Sequence, residues 1–188
     1  MSVSSARENG MHSGRRGTVI ASAAVDDAEA VGEIHARAWS VAYRELFAPE
    51  HLAAMARHRR TKWRPVIAGL GANGDILLLA RFDGRPLAFS YAGPSPTRAG
   101  AAEIFAFYSH PHAWGSGLSG QLMDAVLARL SAAGFRRVHV WTLRETPQSH
   151  RFYTKCGFRA SGAHRRRAMG DGDLHEQVEY ERFVSPSP

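Results

Sequence analysis

The sequence predicts one α/β domain built on a largely antiparallel sheet flanked by helices. Three observations predict it. The 188-residue chain is long enough for one sizeable core and is 44% hydrophobic and 22% charged, the balance of a globular protein. Helix-period and strand-period stretches alternate along it without an internal repeat. Two turn signals, Asp83-Gly84 and Gly170-Asp171-Gly172-Asp173, join neighbouring strand-like runs as hairpins, which makes the sheet largely antiparallel.

The elements follow in order. Thr18 to Ser22 reads as a short strand. Asp26 and Glu29 have capping-box spacing, and Val31, Ile34, His35, Ala38, Trp39 and Ala42 then recur on one face of a helix. Pro49 suits the first turn of a second helix carrying Leu52, Met55 and Ala56. DILLLARF and RPLAFSY are strands about the Asp83-Gly84 turn. Loop GPSPTRAG leads to the strand AEIFAFYS. Leu118, Leu122, Met123, Val126, Leu127 and Leu130 line one face of a helix that Gly134 ends. RVHVWTL is the next strand, PQSHRFYTKC is a short helix stopped by Gly157, and two strands surround the last turn. The expected order is β-α-α-β-β-β-α-β-α-β-β.

Residues 18–184 are expected to form the domain. Residues 1–17, MSVSSARENGMHSGRRG, read as a polar, disordered arm without the apolar stretch of a secretory signal, and 185–188 as a short tail. No apolar run approaches the roughly 20 residues of a membrane helix, and the lone Cys156 has no partner for an internal disulfide. These features predict a cytoplasmic protein that does not bind membranes. The net charge of +7, from 24 Lys+Arg against 17 Asp+Glu, suits a polyanionic ligand, and an arginine-rich solvated surface accounts for it equally well.

The most informative stretch is HPHAWGSGLSGQLM, residues 110–123. Gly115, Gly117 and Gly120 spell G-x-G-x-x-G between a strand and a helix, the fingerprint of a dinucleotide-binding turn. Glu145 even follows the next strand, where an acidic residue would meet a ribose. Against that reading, residues 109–114 separate the strand from the first glycine, the upstream strands form a hairpin, and too little chain remains for a second nucleotide-binding half. The physics of the turn survives a change of fold. Backbone N–H groups at a helix start form a concavity at a positive dipole end, and glycines let it press against phosphate oxygens.

The stretch resembles the acetyl-CoA motif of the GNAT superfamily of N-acetyltransferases, usually written Q/R-x-x-G-x-G/A. Trp114-Gly115-Ser116-Gly117-Leu118-Ser119 falls on it with Gly117 as the central glycine. The element order matches from Thr18 to Val184, AEIFAFYSHP resembles the strand before the motif, and RFYTKCGF resembles the family's late helix. The resemblance implies a mixed, mostly antiparallel and strongly curved sheet that splits between AEIFAFYS and RVHVWTL. The pantetheine arm of acetyl-CoA would enter that split, with its pyrophosphate on the glycine turn. Cofactor contacts are then expected from Tyr108 and Ser109, from Trp114, Gly115, Ser116, Gly117, Leu118, Ser119 and Gly120, and from Thr146. Three positions depart from the pattern: Trp114 where Gln or Arg is usual, Ser119 where Gly or Ala is usual, and Thr146 where Asn often precedes the Phe-Tyr pair.

Acetyl transfer to an amine needs a neutral nucleophile, a held carbonyl and a proton for the thiolate leaving group. A lysine-like amine has a pKa of about 10.4, so only about one in a thousand is neutral near pH 7.4. A carboxylate beside it can take the proton. Glu103, opening the strand that flanks the split, is the candidate base. Tyr153 matches the family's usual general acid, and the Ser109 N–H is placed to polarise the thioester carbonyl. Cys156 lies at a helix end, without a positive helix start to activate it, and is expected to be structural. His110-x-His112 lacks a third ligand at recognisable spacing, so no metal is expected. Arg165-Arg166-Arg167 lacks interleaved aromatics and is expected to be a solvated strand face rather than a nucleic-acid site. Trp39, Tyr43 and Phe47 are candidate walls of the acceptor pocket, and Glu176, Glu179 and Glu181 candidate attractors of a cationic acceptor.

The expected activity is transfer of acetyl from acetyl-CoA to a primary amine of a small molecule, such as an antibiotic or metabolite, by direct attack in a ternary complex. A protein N-terminal or lysine acetyltransferase, and a catalytically silent CoA-binding or interaction module, are the alternatives. A homodimer is compatible with the sequence.

Overall fold

The computed structural model describes residues 17–185, so most of the expected arm and tail lies outside the described residues. The strands are β1 (Thr18–Ser22), β2 (Ile76–Phe82), β3 (Arg85–Pro94), β4 (Ala102–Ser109), β5 (Arg137–Leu143), β6 (Arg159–Ala168) and β7 (Leu174–Phe183). The helices are α1 (Ala28–Ala42), α2 (Pro49–Thr61), α3 (Trp63–Ala68), α4 (Leu118–Ala132) and α5 (Pro147–Lys155). Among the described residues, no helix is long and apolar enough to cross a membrane.

The strands form one sheet in the order β1-β2-β3-β4-β5-β7-β6. Every neighbouring pair is antiparallel except β4–β5, which is parallel and joined through α4. Both faces of the sheet are covered, which explains the unbroken apolar run in β2. Leu78 and Ala80 pack with Leu122, Met123, Val126 and Leu130 of α4. Leu77 and Leu79 pack on the other face with Val31 and Ile34 of α1 and Trp63 and Ile67 of α3.

Two features of β4 position the site. Only Ala102, Glu103 and Ile104 pair with β5, opposite Val138, His139 and Val140. Beyond them the two strands part, leaving residues 105–109 and 141–143 facing a gap. The split expected between AEIFAFYS and RVHVWTL is therefore present. The second feature is a bulge. Tyr91 pairs with Ala106 while its neighbour Ala92 pairs with Ile104, so Phe105 is an extra residue in β4. The bulge reverses the alternation of side chains. Ile104 joins the α4 cluster whereas Ala106 joins the α1 cluster. Glu103, out of phase with Ile104, thus shares a face with Ala106 and Tyr108.

Two local expectations are corrected. The Asp26–Glu29 capping box does not form; Asp27 instead accepts a hydrogen bond from the Ala24 N–H at 3.0 Å, at the head of a short 3-10 turn that leads into α1. The helix α3 is an element that the expected order lacks; Pro65 lies in its first turn, where the missing N–H leaves no helical bond unmade. It buries Trp63 and Ile67, and Trp63 Nε1 donates to His35 Nδ1 at 3.2 Å. The helices α1 and α2 meet at Gly32, where an added Cβ would overlap the backbone carbonyl of Arg60.

Candidate active site

A cavity of about 1150 Å³ occupies the gap between β4 and β5 and runs beneath α1 and α2 to β6. It has two ends of different make. One is the glycine turn with α5; the other is a wall from α1, α2, β6 and β7.

At the glycine end, a 3-10 turn over Pro111–Ala113 leads into Trp114 and the start of α4 at Leu118. Gly115 and Gly117 adopt φ of +80° and +84°, and a Cβ at either would meet nothing within 4 Å. The turn is therefore open as well as left-handed. Its other N–H groups are engaged: Trp114 with Pro111 O, Ser116 with Ala113 O, Leu118 with Ser116 Oγ, and Gly120 with Gly117 O. Those of Gly115, Gly117 and Ser119 have no acceptor among the described residues. Unsatisfied N–H groups at the head of a long helix form an anion cradle that fits a pyrophosphate. Trp114 donates its indole N–H to the Ser109 carbonyl at 3.1 Å, so it braces the end of β4.

Of the residues expected to touch acetyl-CoA, Tyr108, Ser109, Trp114, Gly115, Gly117, Ser119 and Gly120 line the cavity. Ser116, Leu118 and Thr146 do not. Ser116 donates to Ala113 O at 2.7 Å, Leu118 is buried against the α4 cluster, and Thr146 donates to Leu143 O at 2.6 Å. The backbone of Ser109 is well placed. His110 N–H donates to Leu87 O of β3 at 2.7 Å, and successive N–H groups of a strand point to opposite sides. The Ser109 N–H thus points away from β3 into the gap.

Both expected catalytic groups are on the cavity lining, Tyr153 from α5 at the glycine end and Glu103 from β4 toward the other. Tyr153 is buried, with its ring against Phe152, Phe158 and Tyr180. Burial pushes its phenol above the usual tyrosine range, so it carries its proton at neutral pH. Burial also raises the thiol of Cys156, with Asp124 adding to the rise, and keeps it protonated. Glu103 is buried and its Oε2 has no hydrogen-bond partner. Burial raises its carboxyl, opposed by Arg165 and Arg167. Behind it stands fully buried His139, whose Nε2 lies 3.8 Å from Glu103 Oε2 and 2.8 Å from Ser95 Oγ; burial lowers its pKa and favours the neutral ring.

The far end differs from expectation. Trp39 and Tyr43 line the cavity, and Phe47 stacks behind Trp39 at 5.1 Å. None of the three glutamates proposed to attract a cation faces it. Glu179 is buried against Arg98 at 2.6 Å, Glu181 pairs with Arg137, and Glu176 pairs with Arg144 at 2.9 Å on the other side of β7. Nor is the Arg165-Arg166-Arg167 run a uniformly solvated strand face. Alternation turns Arg165 and Arg167 to the cavity and Arg166 away. Arg59, Lys62 and His35 complete this wall unforeseen. The signal for Arg59 was its place four residues after Met55, continuing an apolar helix face with a guanidinium. His35 stacks on Tyr108 at 4.3 Å, and burial, helped by Lys62 and Arg59, pushes its pKa down to about 2.

Comparison with known proteins agrees with this geometry. The model of the acetyltransferase (GNAT) family matches residues 28–158. An uncharacterized N-acetyltransferase of Mycobacterium bovis is 29% identical over 136 residues, covering 72% of this chain and 85% of the relative. Among solved structures, the PaiA N-acetyltransferase of Thermoplasma acidophilum, in complex with coenzyme A, superposes with a TM-score of 0.72 at 18% identity, over 89% of this chain and 99% of that one. The ribosomal-protein-S18-alanine N-acetyltransferase of Escherichia coli gives 0.65 at 16% identity, over 91% and 96%. With the family model covering most of the domain and the split sheet and open glycine turn where the motif requires them, the chain belongs to the GNAT acetyltransferase family.

Proposed function

We propose that the protein is a cytoplasmic N-acetyltransferase that moves an acetyl group from acetyl-CoA to the primary amine of a small molecule, by direct attack in a ternary complex. The observation that carries this reading is the order of groups along one cavity. Free N–H groups of the glycine turn stand at one end, the Tyr153 phenol and Ser109 N–H beside the gap, and the unpartnered Glu103 carboxyl beyond them.

The N–H groups of Gly115, Gly117 and Ser119 hold the pyrophosphate of acetyl-CoA, which supplies an activated thioester. The Ser109 N–H donates to the thioester oxygen as charge develops there. Glu103 takes the proton of the acceptor ammonium, and its raised carboxyl is a stronger base than an exposed glutamate. The freed amine forms the new C–N bond as the C–S bond breaks, Tyr153 gives its proton to the departing thiolate, and the second amine proton passes from the new amide nitrogen to the phenolate, restoring Tyr153. A protonated Cys156 argues against an acetyl-cysteine route.

Release of free thiol from acetyl-CoA, measured over a panel of amines and peptides, tests the reading. Turnover of small amines that collapses in Glu103→Gln and Tyr153→Phe supports it. Turnover of peptides alone assigns a protein acceptor, and acetyl-CoA binding with no turnover of any amine assigns a silent module.

A further inference from the structure

The acceptor end of the cavity carries an excess of one charge. Arg59 reaches it from α2, Lys62 from the junction of α2 and α3, and Arg165 and Arg167 from β6. Aromatic and amide neighbours fix three of them without neutralising them. The Arg59 guanidinium lies 3.7 Å over the Trp39 ring, its Nη1 donates to Met55 O at 3.3 Å, and its buried Nε has no partner. The Arg165 guanidinium lies 4.3 Å over Trp141, and its Nε donates to Gln177 Oε1 at 2.7 Å. The Lys62 ammonium lies 4.8 Å over Trp63.

None of the four forms an ion pair within 4.0 Å among the described residues. The carboxylates of β7 that share this face are committed elsewhere, Glu179 to Arg98 and Glu181 to Arg98 and Arg137. Burial lowers the Lys62 ammonium, and Arg59 and Arg167 lower it further, the mark of like charges crowded together. Glu103 is the one carboxyl at this end of the lining; Asp124 belongs to α4 at the other.

We infer that the acceptor amine carries an anionic group, a carboxylate or a phosphate, which docks on Arg59, Lys62 and Arg167 while its amine meets Glu103. This inference rests on the acetyltransferase reading and specifies its acceptor. Guanidinium groups held flat and unpaired accept oxyanions through paired N–H donors. The same wall repels polycations such as polyamines and aminoglycosides.

Matched amines test it: amino acids against their amides, and phosphoethanolamine against ethanolamine, with spermidine and kanamycin as polycations, all with saturating acetyl-CoA. The anionic member of a pair is expected to exceed its neutral partner in kcat/KM by about 30-fold or more. Which pair responds separates carboxylate from phosphate. Arg59→Gln and Arg167→Gln should each remove that preference while leaving the acetyl-CoA Kd unchanged. Arg57→Gln, exposed on α2 and outside the cavity, should alter neither. Inorganic phosphate added to the CoA-loaded protein, whose glycine turn is filled, should raise the Tm of the parent and of Arg57→Gln but not of Arg167→Gln. Arg167 is exposed, so its variant carries the test should Arg59→Gln fail to fold. Preference for neutral or polycationic amines, or equal stabilisation of parent and Arg167→Gln by phosphate, overturns the inference. Absence of acetyl-CoA binding overturns the acetyltransferase reading instead.

Discussion

The two ends of the cavity recognise ligands by different means. The glycine end offers backbone: N–H groups of Gly115, Gly117 and Ser119 at the head of α4. The acceptor end offers side chains gathered from α1, α2, β4 and β6. Backbone donors bind the part of a ligand that is always the same, and they tolerate variation in the surrounding side chains. Side-chain walls can change charge and shape without disturbing the turn. The comparison predicts that substitutions at the two ends separate cleanly, cofactor affinity moving with one and acceptor kinetics with the other.

The largest effect is expected at Tyr153. Tyr153→Phe keeps the packed ring and removes the proton, so kcat should fall by about 10²–10⁴-fold with little change in acetyl-CoA Kd. A thiolate leaves partly unaided, because its thiol has a pKa near roughly 8.5, which places the loss toward the lower figure. Steady-state rates on the best acceptor, with binding measured separately, check this; unchanged kcat in a folded variant reduces Tyr153 to packing.

Glu103→Gln should lower kcat/KM by about 10²-fold near neutral pH. Its carboxyl must be ionised to accept a proton, and burial raises its pKa. The parent's kcat/KM should therefore climb with pH along a limb above the ordinary glutamate value of about 4.3, and the variant should lose that limb. Stability has the opposite sign. A carboxyl with a raised folded pKa contributes fully below its unfolded pKa, and that contribution is lost as pH rises through the folded value. Glu103→Gln should thus melt higher than the parent at neutral pH and gain nothing in acid. A pH series of rates and melts reads both, and a parent profile without the limb removes Glu103 as base.

At the glycine end, Gly117→Asp should weaken acetyl-CoA by at least about ten-fold, or about 1.4 kcal/mol. Aspartate tolerates left-handed backbone better than most residues, so the carboxylate facing the pyrophosphate is the main cause. Calorimetry decides it, and an unchanged Kd makes the turn merely structural. The smallest kinetic effect belongs to Gly32→Ala. Its methyl must push α2 off α1, a strain of about 1–3 kcal/mol in stability. Acceptor KM should rise a few-fold, as Arg59 moves with α2, while acetyl-CoA Kd holds. A shift in cofactor affinity would show the ends to be coupled.

The same contrast explains what was legible in the sequence. The glycine turn is local: Gly115, Gly117 and the helix after them are adjacent in the chain, so their pattern can be read directly. Strand β5 and helix α4 were equally plain, being periodic and bounded by glycines or arginines. The acceptor wall is not local. Arg59 and Arg167 meet only after the sheet has formed, and no spacing rule links them. Glu176, Glu179 and Glu181 look alike in sequence, yet alternation sends Glu176 to the opposite face of β7, and Arg98 and Arg137 occupy the other two. Thr146 and Ser116 stand off the cavity lining with each hydroxyl on its nearest carbonyl, a pairing that no motif reveals.

The extra residue Phe105 gives β4 two reading frames. Ahead of it, odd-numbered positions face the acceptor; after it, even-numbered positions do. One strand can therefore present the Glu103 carboxyl and the Tyr108 ring to the same chamber while Ile104 and Phe107 serve the opposite core. Straightening the bulge with Phe105 retained, so that it took a paired place opposite β3, would leave every amino acid's chemistry intact and still scramble the enzyme. With the downstream half held in register, the frame upstream would invert, sending the carboxyl toward the apolar side chains of α4 and an isoleucine toward the amine. Conversely, the strand's catalytic content can be redesigned position by position so long as the bulge is kept.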